Sequence, residues 1–187
     1  MLRRRMIVWA VALGLVVTLL GAVVWGGAAA ATQGGPGYAS VPGPAFQPQF
    51  TSTNFRYFHM QVRSESDTGY FVAPVYLPQG ARLNELTVLG YDDDPSNVLK
   101  ATFYRAYGGR GFIEQIAELD SSGASGDFER STDTDVARSV VDNERYGYFV
   151  ELTLPAPSAS NRGLVLSRVR VGYAYASALP LLQRSAP

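Results

Sequence analysis

Cysteine is absent from the 187 residues, histidine occurs once, at His59, and lysine once, at Lys100. The missing thiols exclude disulfides, thiolate metal sites and a cysteine nucleophile together. A single histidine excludes multi-histidine zinc sites. His59 could in principle serve a Ser or Tyr nucleophile, but no G-x-S-x-G elbow is present to place one beside it. Basic clusters are scarce as well: outside Arg3, Arg4 and Arg5 the arginines are scattered.

The formal net charge of zero hides an asymmetry, because those three arginines precede every acidic residue. Without residues 1–31 the chain carries 13 basic and 16 acidic side chains, a net charge of −3. A mildly acidic domain lacks the electrostatic footprint that phosphate backbones require, so nucleic acid is not an expected partner. The length allows one ordinary domain plus a targeting segment. The 11 Tyr and 9 Phe give that domain a core to bury and exclude a wholly disordered chain.

Arg3–Arg5 lead into Met6–Trp25, a run interrupted only by Gly14, Thr18 and Gly21. No polar face breaks it, so it does not read as a surface helix of a soluble domain. The positive-inside preference keeps the arginines in the cytoplasm and sends the rest across the membrane. Residues 1–31 are therefore expected to be an N-terminal hydrophobic helix, with two readings open. Twenty apolar residues match the hydrocarbon thickness and fit a retained anchor. The small residues Ala28–Ala31 offer a signal-peptidase site, which would release the domain. The expected location is extracytoplasmic either way, with the membrane engaged only through this segment.

Residues 32–49, TQGGPGYASVPGPAFQPQ, are rich in Gly and Pro and read as a linker. From residue 50 to 177 the apolar signal has period two, punctuated by Gly, Pro, Asn and Asp, which is the signature of strands. Strands are expected near 55–63, 70–77, 86–91, 99–107, 111–120, 136–141, 146–154 and 165–175. Pro74 confines the second to an edge or a bulge. The Asp-rich turn joins the third and fourth as a hairpin. Residues 178–187 are expected to be a tail. The expected fold class is all-β, an antiparallel two-sheet β-sandwich of jelly-roll-like type.

The segments Tyr70–Asn97 (YFVAPVYLPQGARLNELTVLGYDDDPSN), LKATFYRAY and Ser139–Pro155 (SVVDNERYGYFVELTLP) together resemble an uncharacterised domain found in exported bacterial proteins. The resemblance spans about residues 55 to 175. It implies export and a β fold, and no activity comes with it.

Four groups of side chains are candidates for chemistry. Asp92, Asp94 and Asn97 in DDDPSN could supply part of the oxygen shell of calcium, although the spacing is not that of an EF-hand. The same residues also make Asx-turns at strand connections. No other cofactor is indicated. Asp127, Glu129, Asp133 and Asp135 lie in the polar stretch 121–135, read as a mobile loop. His59 is expected on a strand face with Tyr57 and Gln61. Tyr104, Tyr107, Tyr146, Tyr148, Tyr173 and Tyr175 could form an aromatic platform for sugar rings on one sheet, or serve as ordinary strand residues. The expected function is a non-enzymatic binding or structural module of the cell envelope, with an envelope protein or a glycan as partner. The alternative is a divergent hydrolase of envelope polysaccharide acting through acidic residues.

Overall fold

Alternation in Tyr146–Leu154 decides the architecture: Tyr148, Val150, Leu152 and Leu154 are buried while Gly147, Phe149, Glu151 and Thr153 face outward. A strand with one apolar and one polar face belongs to a sheet that covers a core on one side. The computed structural model describes residues 35–108, 111–158 and 163–175. The expected export segment 1–31 and the tail 178–187 lie outside the described residues. No helix among the described residues is long and apolar enough to cross a membrane.

Eleven strands follow in order among these residues: β1 (Gly37–Pro42), β2 (Gln47–Pro48), β3 (Phe55–Phe58), β4 (Gln61–Ser64), β5 (Gly69–Pro74), β6 (Arg82–Asp92), β7 (Lys100–Tyr107), β8 (Ile113–Asp120), β9 (Gly126–Asp133), β10 (Tyr146–Leu154) and β11 (Leu164–Ala174). Sheet A runs β3-β4-β11-β6-β9, with β1 also paired to β11, and sheet B runs β2-β5-β10-β7-β8. All pairings are antiparallel. Phe71, Phe103, Val150 and Leu152 of sheet B meet Val62, Leu86, Val88, Leu166, Val169 and Val171 of sheet A in one core. The expected all-β, two-sheet antiparallel sandwich is what the chain forms.

Several local expectations give way. Residues 37–48 are not a linker: Gly37–Pro42 pairs with β11 from Arg168 to Tyr173, and Gln47–Pro48 pairs with β5. Phe46 between them is fully buried. The sandwich therefore begins at Gly37, not at residue 50. Gly and Pro are tolerated here because both strands lie at sheet edges. Gly43 is required by a close approach, since a Cβ there would sit 2.8 Å from the Met60 carbonyl oxygen and 2.9 Å from that of Leu166.

The expected strand 55–63 is two strands, β3 and β4, folded back on each other through His59 and Met60. His59 has φ of +53° and so occupies the turn, not a sheet face. β6 and β7 are not a hairpin, because β6 pairs with β11 and β9 while β7 pairs with β10 and β8. The Asp-rich connection carries the chain from one sheet to the other. Residues 126–133 of the expected mobile loop form β9, an edge strand whose residues alternate between half-buried and exposed. Val136–Arg138 is a short 3-10 helix rather than a strand, capped by the Asp135 side chain on the Ala137 N–H. In β11 the register shifts between Leu166 and Arg168, so Leu166 and Val169 both point inward where strict alternation would split them.

Candidate functional site

At the end of β6 the chain buries two carboxylates, Asp92 at 2% and Asp94 at 4% exposure. Asp92 accepts the Asp94 N–H at 2.9 Å and the Ser121 hydroxyl. Asp94 accepts the Ser96 N–H at 2.9 Å, the Asn97 side-chain amide at 3.2 Å, and both the N–H and the hydroxyl of Ser158. Burial works to raise the Asp94 pKa. The hydrogen bonds from Ser158, Ser96 and Asn97 outweigh it and hold the carboxyl well below the usual carboxylate range.

The structure thus brings Asp92, Asp94 and Asn97 together, around N–H and O–H donors. The carboxylate oxygens of Asp92 and Asp94 accept hydrogen bonds from these donors. Asn97 also donates to the Ala156 carbonyl, which ties this turn to the segment after β10. The group matches the turn chemistry of Asx residues.

The acidic residues of 121–135 divide between one face of β9 and the turn that follows it. Asp127, Glu129 and Asp133 occupy every second position of β9 and so share its exposed face, where Glu129 pairs with Arg170 across sheet A. Asp135 caps the 3-10 helix and pairs with Arg138. Glu85, on the neighbouring strand, has its pKa lowered by hydrogen bonds from Ser131 and Thr87. Asp120 is lowered by the hydroxyl and the N–H of Ser122. A general acid for glycoside cleavage needs the opposite shift, a raised carboxyl pKa.

The tyrosines part company. Tyr148 is buried in the core with its hydroxyl accepting the Asp142 N–H at 2.9 Å, and burial raises its pKa. Tyr146 receives the Arg105 guanidinium over its ring at 4.2 Å and contacts the ring of Tyr107 edge-on. Tyr173 and Tyr175 pack against each other at the end of β11 in sheet A. Only Tyr104 of the six lies on the outer face of sheet B with an aromatic partner stacked beside it.

That partner is Phe149, whose ring is 5.4 Å from that of Tyr104 with the planes 27° apart. The two residues are directly opposite on β10 and β7, and the same row continues to Pro74 on β5 and Gln115 on β8. By strand spacing this row is about 14 Å long. The next row is Val72, Glu151, Thr102 and Glu118, with Gln47 beyond Val72. Glu118 accepts from Thr102 at 3.3 Å and pairs with Lys100 at 3.1 Å, while Glu151 accepts the Gln49 amide at 2.9 Å. The outer face of sheet B is therefore a half-buried aromatic strip bordered by amides, hydroxyls and carboxylates. Sequence reasoning missed Phe149, and a signal for it existed: it is the one aromatic on the polar face of an alternating strand.

No family model and no curated protein matches the sequence. Of what the resemblance drawn from Tyr70–Asn97 implies, the β fold is what the chain shows. Among solved structures, the chain is similar to the CBM36-1 domain of a multidomain xylanase from the hindgut metagenome of Trinervitermes trinervoides, at 13% identity and a TM-score of 0.45, covering 72% of this chain and 96% of that one. It is also similar to the C-terminal CBM6 of LamC, a marine laminarinase from Zobellia galactanivorans, at 8% identity and a TM-score of 0.45, covering 72% and 98%. A third is a carbohydrate-binding module CBM36 in complex with calcium and xylotriose, at 10% identity and a TM-score of 0.43, covering 71% and 98%.

Proposed function

We propose that this chain is an exported, non-catalytic binding module of the cell envelope that holds a glycan on the outer face of sheet B. The observation that carries the reading is the stacked pair of Tyr104 and Phe149 on a solvent-facing strand surface. The C–H face of a pyranose ring is apolar and its rim is hydroxylated. A flat aromatic strip edged by Gln115, Glu118 and Glu151 offers a matching surface for both parts. Cross-strand aromatic pairing also stabilises the sheet itself, so binding and folding must be read separately.

Glu85, Asp94 and Asp120 are held low, which disfavours these three carboxyls as general acids. Export rests on Arg3–Arg5 and the apolar run to Trp25, with the segment either cleaved or kept as an anchor. The mass of the mature N-terminus separates those two fates, and a cytoplasmic protein with an intact Met1 would remove the export reading.

Affinity electrophoresis against a panel of neutral cell-wall and plant polysaccharides tests the binding reading. At least one polysaccharide should retard the chain, and Phe149→Ala and Tyr104→Ala should each weaken that interaction about tenfold, the loss expected for one stacked ring plus its buried area. Retardation that survives both substitutions, or none with any polysaccharide, would rule the platform out. Turnover of a polysaccharide that a single carboxylate substitution abolishes would favour a hydrolase.

A further inference from the structure

On the outer face of sheet A, Arg56 of β3 and Arg63 of β4 stand directly opposite each other. Like charges facing across an antiparallel pair cost stability. The two guanidiniums share the Glu65 carboxylate, at 3.5 Å from Arg56 and 2.8 Å from Arg63. One carboxylate neutralises one of the two charges, and each guanidinium has five N–H donors, so a positive charge and several donors remain to be used. Arg56 keeps 61% and Arg63 41% of its side chain open to solvent.

The adjacent cross-strand pair on the same face is Phe58 and Gln61. With Val62 and with Val165 of β11, these four side chains line a cavity of about 200 Å³. That is smaller than the roughly 300–1,000 Å³ of a drug-sized site and suits one ring-sized body. Phe58 is 59% exposed at its mouth, and its ring is braced edge-on by the His59 imidazole at 4.4 Å. His59 takes a left-handed backbone conformation to stand there. Gln61 is held in turn by a hydrogen bond to the Ser167 hydroxyl at 3.2 Å.

We propose that this pocket binds one carboxylate-bearing sugar unit, with its carboxylate in the fork of Arg56 and Arg63 and its apolar ring face on Phe58. Paired guanidiniums recognise a planar carboxylate through parallel N–H donors. A bare small anion would leave Phe58 unused, and a neutral sugar would leave the second arginine unused. The pocket lies on the opposite sheet from Tyr104 and Phe149 and rests on different residues, so either site can fail without the other.

The test is calorimetric titration of the full-length chain in detergent micelles with glucuronate, glucose and acetate. Glucuronate should bind about tenfold or more tightly than either glucose or acetate, and its affinity should fall as salt is raised. Arg63→Gln, Arg56→Gln and Phe58→Ala should each weaken it about tenfold, as loss of a charged hydrogen bond or of a stacking ring does. The two arginine variants serve as checks on each other, with thermal melting confirming that each is folded. Glucose binding as well as glucuronate, acetate binding as well as glucuronate, or no binding at all would each overturn the proposal. So would loss of glucuronate binding in Tyr104→Ala with retention in Arg63→Gln, which would move the ligand to sheet B.

Discussion

The hydroxyl of Ser121 donates to the buried carboxylate of Asp92, joining the end of β8 in sheet B to the end of β6 in sheet A. The same oxygen accepts the Leu99 N–H at 2.9 Å, and the Ser121 N–H donates to the Leu99 carbonyl at 2.9 Å. Ser121 is 1% exposed, so no bulk water stands in for it. Ser121→Ala should leave a buried N–H without a partner and a carboxylate short of a donor, at about 2–4 kcal/mol of stability. Urea unfolding monitored by tyrosine fluorescence measures this, and a loss below half a kcal/mol would mean that the network is wet.

Asp94 predicts an acid limb to the stability curve. Its folded pKa lies below the ordinary 3.8. The unfolded chain therefore takes up the proton first, and the stabilisation is complete above the unfolded value and drains away as pH falls through the folded one. Asp94→Asn removes that contribution, so the variant should melt well below the wild type at pH 7 and the gap should narrow between pH 5 and pH 2. Glu85 and Asp120 are lowered in the same direction. The difference between variant and wild type, not the wild-type curve alone, is thus the quantity to measure. A gap that stays constant with pH would show that Asp94 acts through packing alone.

Calcium is a separate test of the same turn. With the Asp94 oxygens already facing the donors of Ser96, Asn97 and Ser158, added calcium or chelator should leave the melting temperature unchanged. A ligand that binds only the folded state raises it by mass action. A calcium-dependent rise abolished in Asp92→Ala would assign Asp92, Asp94 and Asn97 to a metal.

Gly43 should resist replacement. It sits where β1 yields the flank of β11 to β4, with carbonyl oxygens of Met60 and Leu166 and the Val62 nitrogen all within 2.9 Å of where a Cβ would be. Backbone atoms cannot swing aside as a side chain can. Gly43→Ala should cost about 1–3 kcal/mol, the range for overpacking, seen as a lower urea midpoint with an unchanged slope.

How much of this was legible in the sequence depended on whether a strand had one apolar face. β10 declared itself because Val150, Leu152 and Leu154 alternate with polar neighbours, and β11 nearly so until its register shift at Ser167. β9 was hidden because its sequence, GDFERSTD, has a single apolar residue, Phe128, to mark its inner phase, as an edge strand in little need of burial can have. β1 and β2 were hidden by Gly and Pro, residues that signal loops everywhere except at a sheet edge. The turn chemistry of Asp92–Asn97 was readable, but a turn between sheets and a turn within one use the same residues. The binding faces were the least legible part. Both Tyr104 beside Phe149 and Arg56 beside Arg63 depend on which strands are neighbours, and pairing between β7 and β10 spans some forty residues of sequence.

Tyr148 separates stability from binding on a single strand. It and Phe149 are consecutive on β10 and point to opposite faces, one into the core and one to the solvent. The Tyr148 hydroxyl accepts the Asp142 N–H at the start of the 142–146 turn, and Asp142 in turn accepts the Tyr146 N–H through its carbonyl. Tyr148→Phe keeps the ring but leaves that N–H unpaired, which should cost about 1–2 kcal/mol. Glycan retention should stay within twofold, since the outer face is untouched. Phe149→Ala should show the reverse pattern, with a smaller loss of stability than of affinity. If both variants lose stability and binding in the same proportion, the Tyr104 and Phe149 strip is serving the fold and the ligand sits elsewhere.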